Sequence, residues 1–236
     1  MKAVILSGGL GTRLKPFTEV IPKPLLPIGE KAILEVQIER LKSHGFDTVF
    51  LATNYKSEYI ESFFGDGSRY GVELTISKED KPLGTAGPIS LIRDQLTEPF
   101  LVMNGDILTL LDFRAFYEYA IVKSAPLTIG IKKEILPFAF GNIHFDGDYV
   151  TDIQEKPNLE LYILAGIYIM TPEIFKYIPQ NEYYGMDVLI KRLIKDDVQI
   201  PKYHINEYWL DIGRMNDYQT AQDVYETHFK HDGDKE

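Results

Sequence analysis

The first hundred residues repeat one pattern: a short apolar run that ends in glycine or polar residues, then a segment of helical spacing. The runs are KAVILS at 2–7, DTVFLAT at 47–53, VELTIS at 72–77 and PFLVMNGD at 99–106. Each is short and bounded by turn residues, which predicts a strand. At 32–46, Leu34, Ile38 and Leu41 recur at i, i+4 and i+7, and Gly45 follows as the stop. Residues 57–67 read as a short helix, and 84–96 as a loop entering another. Strands that alternate with helices give a mostly parallel central sheet flanked by helices, an α/β fold, because parallel strands need crossovers that lie over the faces.

In such sheets ligands bind beyond the carboxyl ends of the strands. Two polar stretches fall there: the loop after Leu6, and Asn104-Gly105-Asp106 after Met103. In the loop, Gly8, Gly9 and Gly11 allow sharp turns and offer amide N–H groups to phosphate oxygens, and Arg13 adds a forked cation. For the glycines alone, a tight structural turn with a solvated arginine explains the pattern equally well. The standard phosphate loops do not fit. Gly11 is followed by Thr12-Arg13 rather than Lys-Ser/Thr, and Leu14 stands where a dinucleotide fingerprint needs glycine or alanine.

After about residue 125 the chain turns to short strands at 127–132, 141–145, 149–156 and 162–170, with a turn at 146–148. This part is expected to extend the sheet and form a small strand-rich lobe. Residues 185–195 read as a helix, 198–205 and 208–213 as strands, and 215–229 as a C-terminal helix whose aromatic residues pack. The tail, 231–236, is expected to be disordered. The division expected is a single domain over 1–230, with about 1–125 for one substrate and about 126–212 for the other.

Composition narrows the function. The formal net charge of −10 argues against a nucleic-acid partner, since phosphate backbones require a basic face. The chain has no cysteine, which removes disulfides, thiolate catalysis and cysteine metal sites. No stretch approaches the roughly 20 apolar residues of a membrane span, and residues 3–6 are too short for a signal peptide. A cytoplasmic protein without a membrane partner is the expectation.

Five motifs then converge. Gly8 through Leu14 with Pro16, Thr18 and Pro22-Lys23-Pro24 resembles the signature of the sugar-1-phosphate nucleotidyltransferases. Leu83-Gly84-Thr85-Ala86-Gly87 resembles that family's second nucleotide loop, and Asn104-Gly105-Asp106 its metal turn. Glu155-Lys156-Pro157 is similar to its sugar-phosphate segment, and Trp209 through Gly213 to its second metal motif. The resemblance implies a Rossmann-like, GT-A-like fold. It also implies transfer of a nucleoside monophosphate from a nucleoside triphosphate to a sugar 1-phosphate, with release of pyrophosphate.

The roles that follow are implied by that resemblance. Arg13 and Lys23 would neutralise the reacting phosphates, and Asp106 and Asp211 would ligate Mg²⁺, whose preference for oxygen suits them. Taken singly, each aspartate also fits a turn or cap. Leu6, Gly8, Gly9, Gly11, Thr12, Gly84 and Thr85 would hold the nucleotide. Gly141, Glu155, Lys156 and Gly166 would hold the sugar phosphate. The resemblance admits a homo-oligomer. Longer members carry a hexapeptide-repeat domain after the segment that Asp211 resembles; the sequence stops shortly after Asp211, so neither acetyl transfer nor repeat-mediated assembly is expected.

The stretch 77–94 and YWLDIGRMNDY at 208–218 most resemble the GDP-mannose pyrophosphorylase branch. A carboxylate can accept N1–H and N2–H₂ of guanine together, so Glu79 is the candidate base reader and GTP the favoured nucleotide. Leu164-Ala165-Gly166 departs from the branch's usual Asn-Ala-Gly, which opens a deoxy-, amino- or heptose phosphate beside mannose 1-phosphate. Three other readings stay open: a cytidylyl-, uridylyl- or thymidylyltransferase, a non-catalytic nucleotide-sugar sensor, and a glycosyltransferase. The last usually carries Asp-x-Asp where this chain has Asn104-Gly105-Asp106.

Overall fold

The strand β1 (Lys2–Leu6) runs through the middle of the molecule, with Ala3, Val4 and Ile5 fully buried. Successive side chains point to opposite faces. Ala3 and Ile5 enter one apolar cluster and Val4 enters another. A helical layer on each side of the sheet is thus required by the first strand. The computed structural model describes residues 1–9, 11–54 and 56–230. Leu10 of the glycine loop and the expected tail at 231–236 lie outside the described residues.

A small hairpin, β2 (Pro27–Ile28) and β3 (Lys31–Ala32), precedes the main sheet strands β4 (Thr48–Thr53), β5 (Glu73–Lys78) and β6 (Phe100–Asn104). Next come β7 (Ile107–Thr109), β8 (Leu127–Pro137), β9 (Asn142–Asp146), β10 (Tyr149–Gln154), β11 (Asn158–Met170), β12 (Lys202–His204) and β13 (Trp209–Asp211). The main sheet has seven strands in the order β12-β8-β11-β6-β1-β4-β5. Strand β11 is antiparallel to both β6 and β8, and the other neighbours are parallel. Strands β8, β11 and β12 therefore extend the sheet, as expected, while β9 and β10 pair with each other and β13 with β7.

The helices are α1 (Phe17–Val20), α2 (Ile33–Ser43), α3 (Ser57–Phe64), α4 (Phe113–Lys123), α5 (Met186–Lys195) and α6 (Met215–His228). Leu34, Ile38 and Leu41 of α2 pack on one face together with α3 and α4. Helix α5 covers the other face through Leu189 and Leu193. Helix α6 closes a third cluster, where Tyr225 and Phe229 are buried as packing residues. No helix among the described residues is long and apolar enough to cross a membrane.

Two local expectations are corrected, and one helix is added. The segment at 84–96 forms a 3-10 helix, Gly87–Gln95, rather than an α-helix, with non-helical backbone at Ile92. Ser90 Oγ donates to the Gly87 carbonyl at 2.7 Å, a local bond that favours the tighter coil. At 198–205 only Lys202–His204 is strand, since Pro201 offers no N–H to a ladder. Helix α4 was not expected at all, although Asp112 Oδ1 caps it by accepting from the Ala115 N–H at 2.9 Å.

Candidate active site

The parallel strands β1, β4, β5 and β6 end on one side of the sheet, and two clefts open there. The first, of about 390 Å³, is lined by Leu6, Gly8, Gly9, Glu79, Gly84, Thr85 and Asp106, among others. The second, of about 340 Å³, is lined by Gly9, Gly11, Thr12, Arg13, Lys23 and Asp106, again among others. Leu6, Gly9 and Asp106 belong to both. The wall between the clefts is therefore the start of the glycine loop and the carboxylate of the β6 turn.

The glycines of this loop differ in what they do. Only Gly11 has a positive φ, +60°, and a Cβ there would stand 2.7 Å from Thr18 Cγ2. Thr18 Oγ1 donates to the Gly11 carbonyl at 2.8 Å, which fixes the turn. At Gly8 the constraint is space, because a Cβ would meet Glu79 Oε1 at 2.8 Å. A Cβ at Gly9 would meet nothing within 4 Å outside its chain neighbours, and Gly9 lines both clefts. The expectation that all three glycines serve a sharp turn holds for Gly11 alone.

Glu79 follows the end of β5, where its N–H donates to the Thr53 carbonyl at 2.9 Å. Its Oε2 accepts from the Leu83 N–H at 2.8 Å, so the carboxylate folds back onto the second loop. Burial pushes its carboxyl above the ordinary glutamate value, against the pull of the Leu83 amide. The second loop is in turn laced to the segment before α5. The Ala86 and Gly87 amides donate to the Tyr184 carbonyl, and Thr85 Oγ1 accepts from the Met186 N–H at 2.8 Å. This lacing sets the exposed ring of Tyr183 on the rim of the first cleft.

In the second cleft, Lys23 Nζ donates to Asp106 Oδ2 at 2.5 Å. The lysine sits in a short 3-10 turn, Lys23–Leu25, entered through Pro22 and stiffened by Pro24. Asp106 Oδ1 is buried without a hydrogen-bond partner. Strand β13 pairs with β7 so that Asp211 faces Ile107, and the Ile212 N–H donates to the Asp106 carbonyl at 2.9 Å. This brings the second carboxylate to the first. Asp211 is exposed and lines neither cleft, yet the surrounding protein and the charge of Asp106 push its carboxyl up. Lys23 and Arg13 oppose the shift.

A divalent cation fits here: two neighbouring carboxylates, one with an unpartnered buried oxygen, beside a cleft that is otherwise basic. No group of three or more His, Cys, Asp and Glu residues of metal-binding geometry occurs among the described residues. That is compatible with Mg²⁺, which takes one or two carboxylates and completes its shell with water and phosphate.

The sugar-side residues divide. Gly166, with φ +68°, lies against Asn104: a Cβ would stand 2.6 Å from Asn104 Nδ2, so only glycine lets β11 approach the β6 turn. Gly141 and Glu155 come together, since a Gly141 Cβ would be 3.2 Å from Glu155 Oε2. Gly141, Glu155 and Lys156 nevertheless line neither cleft and sit on an exposed ribbon.

The sequence reading missed three residues of this region. Asn54 and Tyr183 line the first cleft. Gln37 is buried on α2, and its Nε2 donates to the carbonyls of Asn104 at 3.2 Å and Ile107 at 2.7 Å, spanning the Asp106 turn. Asn54 was within reach, since it directly follows a predicted strand at its carboxyl end. Nothing in the sequence around Tyr183 or Gln37 marks them.

Comparisons with known proteins identify the family. Residues 2–228 match the family model described as nucleotidyl transferase. A probable mannose-1-phosphate guanylyltransferase 1 from Oryza sativa subsp. japonica is 35% identical over 234 residues, covering 95% of this chain and 64% of the relative. A UTP–glucose-1-phosphate uridylyltransferase from Synechocystis sp. is 36% identical, covering 94% of this chain and 62% of the relative. The chain thus spans just under two thirds of the length of these relatives. Among solved structures, a putative glucose-1-phosphate thymidylyltransferase from Bacillus anthracis superposes with a TM-score of 0.79 at 25% identity, over 96% of both chains. HddC from Yersinia pseudotuberculosis, complexed with GMP-PN, gives a TM-score of 0.74 at 28% identity, over 95% of this chain and 99% of that one. By fold, by site and by these likenesses, the chain belongs to the nucleotidyl transferase family, among the sugar-1-phosphate nucleotidyltransferases.

Proposed function

We propose that the chain transfers a guanylyl group from GTP to a sugar 1-phosphate, giving a GDP-sugar and pyrophosphate. The observation that carries this reading is the meeting of the two clefts at Asp106. One cleft holds a recessed carboxylate suited to a base, and the other holds Arg13 and Lys23, suited to phosphates. A nucleotide laid across the shared wall would place its α-phosphate between Gly9 and Asp106. Attack by the sugar-phosphate oxygen in line with the departing pyrophosphate needs no protein nucleophile. Catalysis rests on orientation and on fixed charges aimed at the transition state.

Amides of Gly8 to Thr12 would hold phosphate oxygens, with Arg13 on the leaving pyrophosphate. Lys23 would exchange its contact with Asp106 for one to the reacting phosphates. Asp106 and Asp211 would hold Mg²⁺, which supplies further neutralisation of phosphate charge when bound. Leu6, Gly84 and Thr85 would frame the nucleoside, and Glu79 would accept the guanine N–H groups. Gly166 would let the sugar approach the Asn104 turn. Closure of the ribbon would bring Gly141, Glu155 and Lys156 onto the sugar phosphate. The ribbon and its strands, about 126–212, form the sugar part of a single domain.

Guanylyl transfer is favoured over uridylyl or thymidylyl transfer by Glu79 itself, since a carboxylate meets the carbonyls of those bases badly. Equilibrium binding of GTP, UTP, dTTP and CTP to the wild type and to Glu79→Gln tests it. GTP should bind tightest to the wild type and lose that margin in the variant. Equal binding of all four to the wild type would discard the guanine assignment.

A further inference from the structure

Two adjacent tyrosines precede α5 and part company. Tyr184 is half-buried and packs against the apolar cluster that holds Leu189 and Leu193. Tyr183 is 72% exposed. Among the described residues it is the only aromatic side chain that lines the first cleft, and no hydrogen bond, ring contact or cation contact engages it. A single exposed tyrosine on a surface needs no explanation. This one stands at the mouth of a cleft on backbone that cannot drift.

The Tyr184 N–H donates to the Leu83 carbonyl at 2.9 Å, and the Tyr184 carbonyl accepts from the Ala86 and Gly87 amides at 2.9 and 3.0 Å. The loop's own glycines leave room for this approach. A Cβ at Gly84 would stand 2.7 Å from the Tyr184 carbonyl oxygen and 3.4 Å from Tyr183 Cε2, and one at Gly87 would collide with the Glu182 carbonyl. The Tyr183 ring therefore lies against Gly84. Leu83 joins the two sides of the cleft. Its N–H donates to Glu79 Oε2 at 2.8 Å while its carbonyl holds Tyr184, so carboxylate and ring are anchored to one residue.

We infer that Tyr183 covers the face of the bound base and favours purines, an inference that rests on the nucleotide reading of the first cleft. A carboxylate that meets the edge of a base leaves its two faces to be covered by other groups. Leu6, Pro82 and Leu83 give the cleft apolar surface, and Tyr183 adds a π face at the mouth. Stacking accepts any base, because every base has a π face, and a purine offers the larger one. A tyrosine on fixed backbone has only two side-chain torsions to order, so little freedom is lost on contact. Glu79 thus reads the edge, and Tyr183 sets how firmly the ring is held.

Titration calorimetry with GTP, UTP and tripolyphosphate, at fixed Mg²⁺ and without sugar phosphate, tests the inference. Tripolyphosphate carries the phosphates and no base. Tyr183→Ala should bind GTP roughly 10–100-fold more weakly than the wild type, UTP with a smaller loss, and tripolyphosphate equally well. Tyr183→Phe should keep GTP binding, and Tyr183→Leu should not. Tyr183→Trp adds a spectroscopic signature: fluorescence quenched by GTP beyond the wild-type response, and not by tripolyphosphate. Unchanged GTP affinity in Tyr183→Ala overturns the inference while the nucleotide reading stands. Equal weakening of tripolyphosphate also overturns it, since the ring then only supports the loop. A wild type that binds neither GTP nor UTP more tightly than tripolyphosphate overturns the reading of the cleft, and the inference with it.

Discussion

Lys23 Nζ lies 2.5 Å from Asp106 Oδ2, with the lysine side chain 12% exposed and the carboxylate 28%. The two residues are 83 positions apart: Lys23 opens a 3-10 turn between two prolines, and Asp106 lies in the turn after β6. On the proposed reading, the lysine would exchange this contact for one to the arriving phosphate. Lys23→Ala should lower kcat about 10²–10³-fold, the usual loss for a preorganised charge at a developing oxyanion. Lys23→Arg should recover little, because the guanidinium is longer and planar. Steady-state pyrophosphate release checks both.

Replacing Glu79 by Gln keeps an acceptor for the Leu83 N–H but removes the charge from the base contact. A hydrogen bond to a charged group contributes about 1.5–3 kcal/mol. The expected result is a loss of roughly 10–100-fold in kcat/KM for GTP, with little change for UTP. Parallel assays with the two nucleotides measure the ratio directly.

The pH response has two parts of opposite sign. Burial and the Asp106 charge raise the Asp211 carboxyl, and burial raises Glu79. Both must be ionised to act, so turnover should fall as pH drops through values above the ordinary carboxylate range of about 4. Stability runs the other way. A carboxyl raised on folding binds its proton more tightly in the native state, so its contribution to stability grows as pH falls through the folded value. Asp211→Asn should thus melt slightly above the wild type at pH 7 while losing Mg²⁺-dependent turnover. Thermal melts and pH–rate profiles separate the two effects.

Gln37 lines neither of the two clefts, yet its amide spans the turn that carries Asp106. Gln37→Leu leaves two backbone acceptors without that donor, at a cost of about 1–3 kcal/mol in stability. If the amide positions Asp106, the Mg²⁺ concentration for half-maximal rate should rise while KM for the sugar phosphate stays. A uniform loss of active protein, with both constants unchanged, would leave Gln37 a purely structural residue.

Much of this was legible in the chain because buried parallel strands read as unbroken apolar runs. Ala3-Val4-Ile5 and Leu101-Val102-Met103 could hardly be anything else, and the polar residues after them mark the ligand side. Asp211 stands out as a carboxylate in the apolar stretch 208–213, but its partnership with Asp106 was legible only through resemblance, since it depends on the pairing of β13 with β7. Other features depend on contacts that no local pattern encodes. Gly8 is needed because Glu79, 71 residues later, fills the space beside it. Tyr183 reaches the first cleft through backbone bonds of its neighbour Tyr184. Helix α4 was overlooked because its buried residues, Phe113, Phe116 and Ala120, are interleaved with aromatic residues that blur the apolar stripe.

The most direct test is product formation. The protein is incubated with Mg²⁺, each of four nucleoside triphosphates and a panel of sugar 1-phosphates, and both pyrophosphate and nucleotide sugar are followed. The account predicts stoichiometric pyrophosphate and GDP-sugar from GTP and at least one sugar phosphate, with neither formed by Asp106→Ala or Asp211→Ala. Nucleotide binding without product from any pair would contradict it and leave a sensor of nucleotide sugars in place of an enzyme.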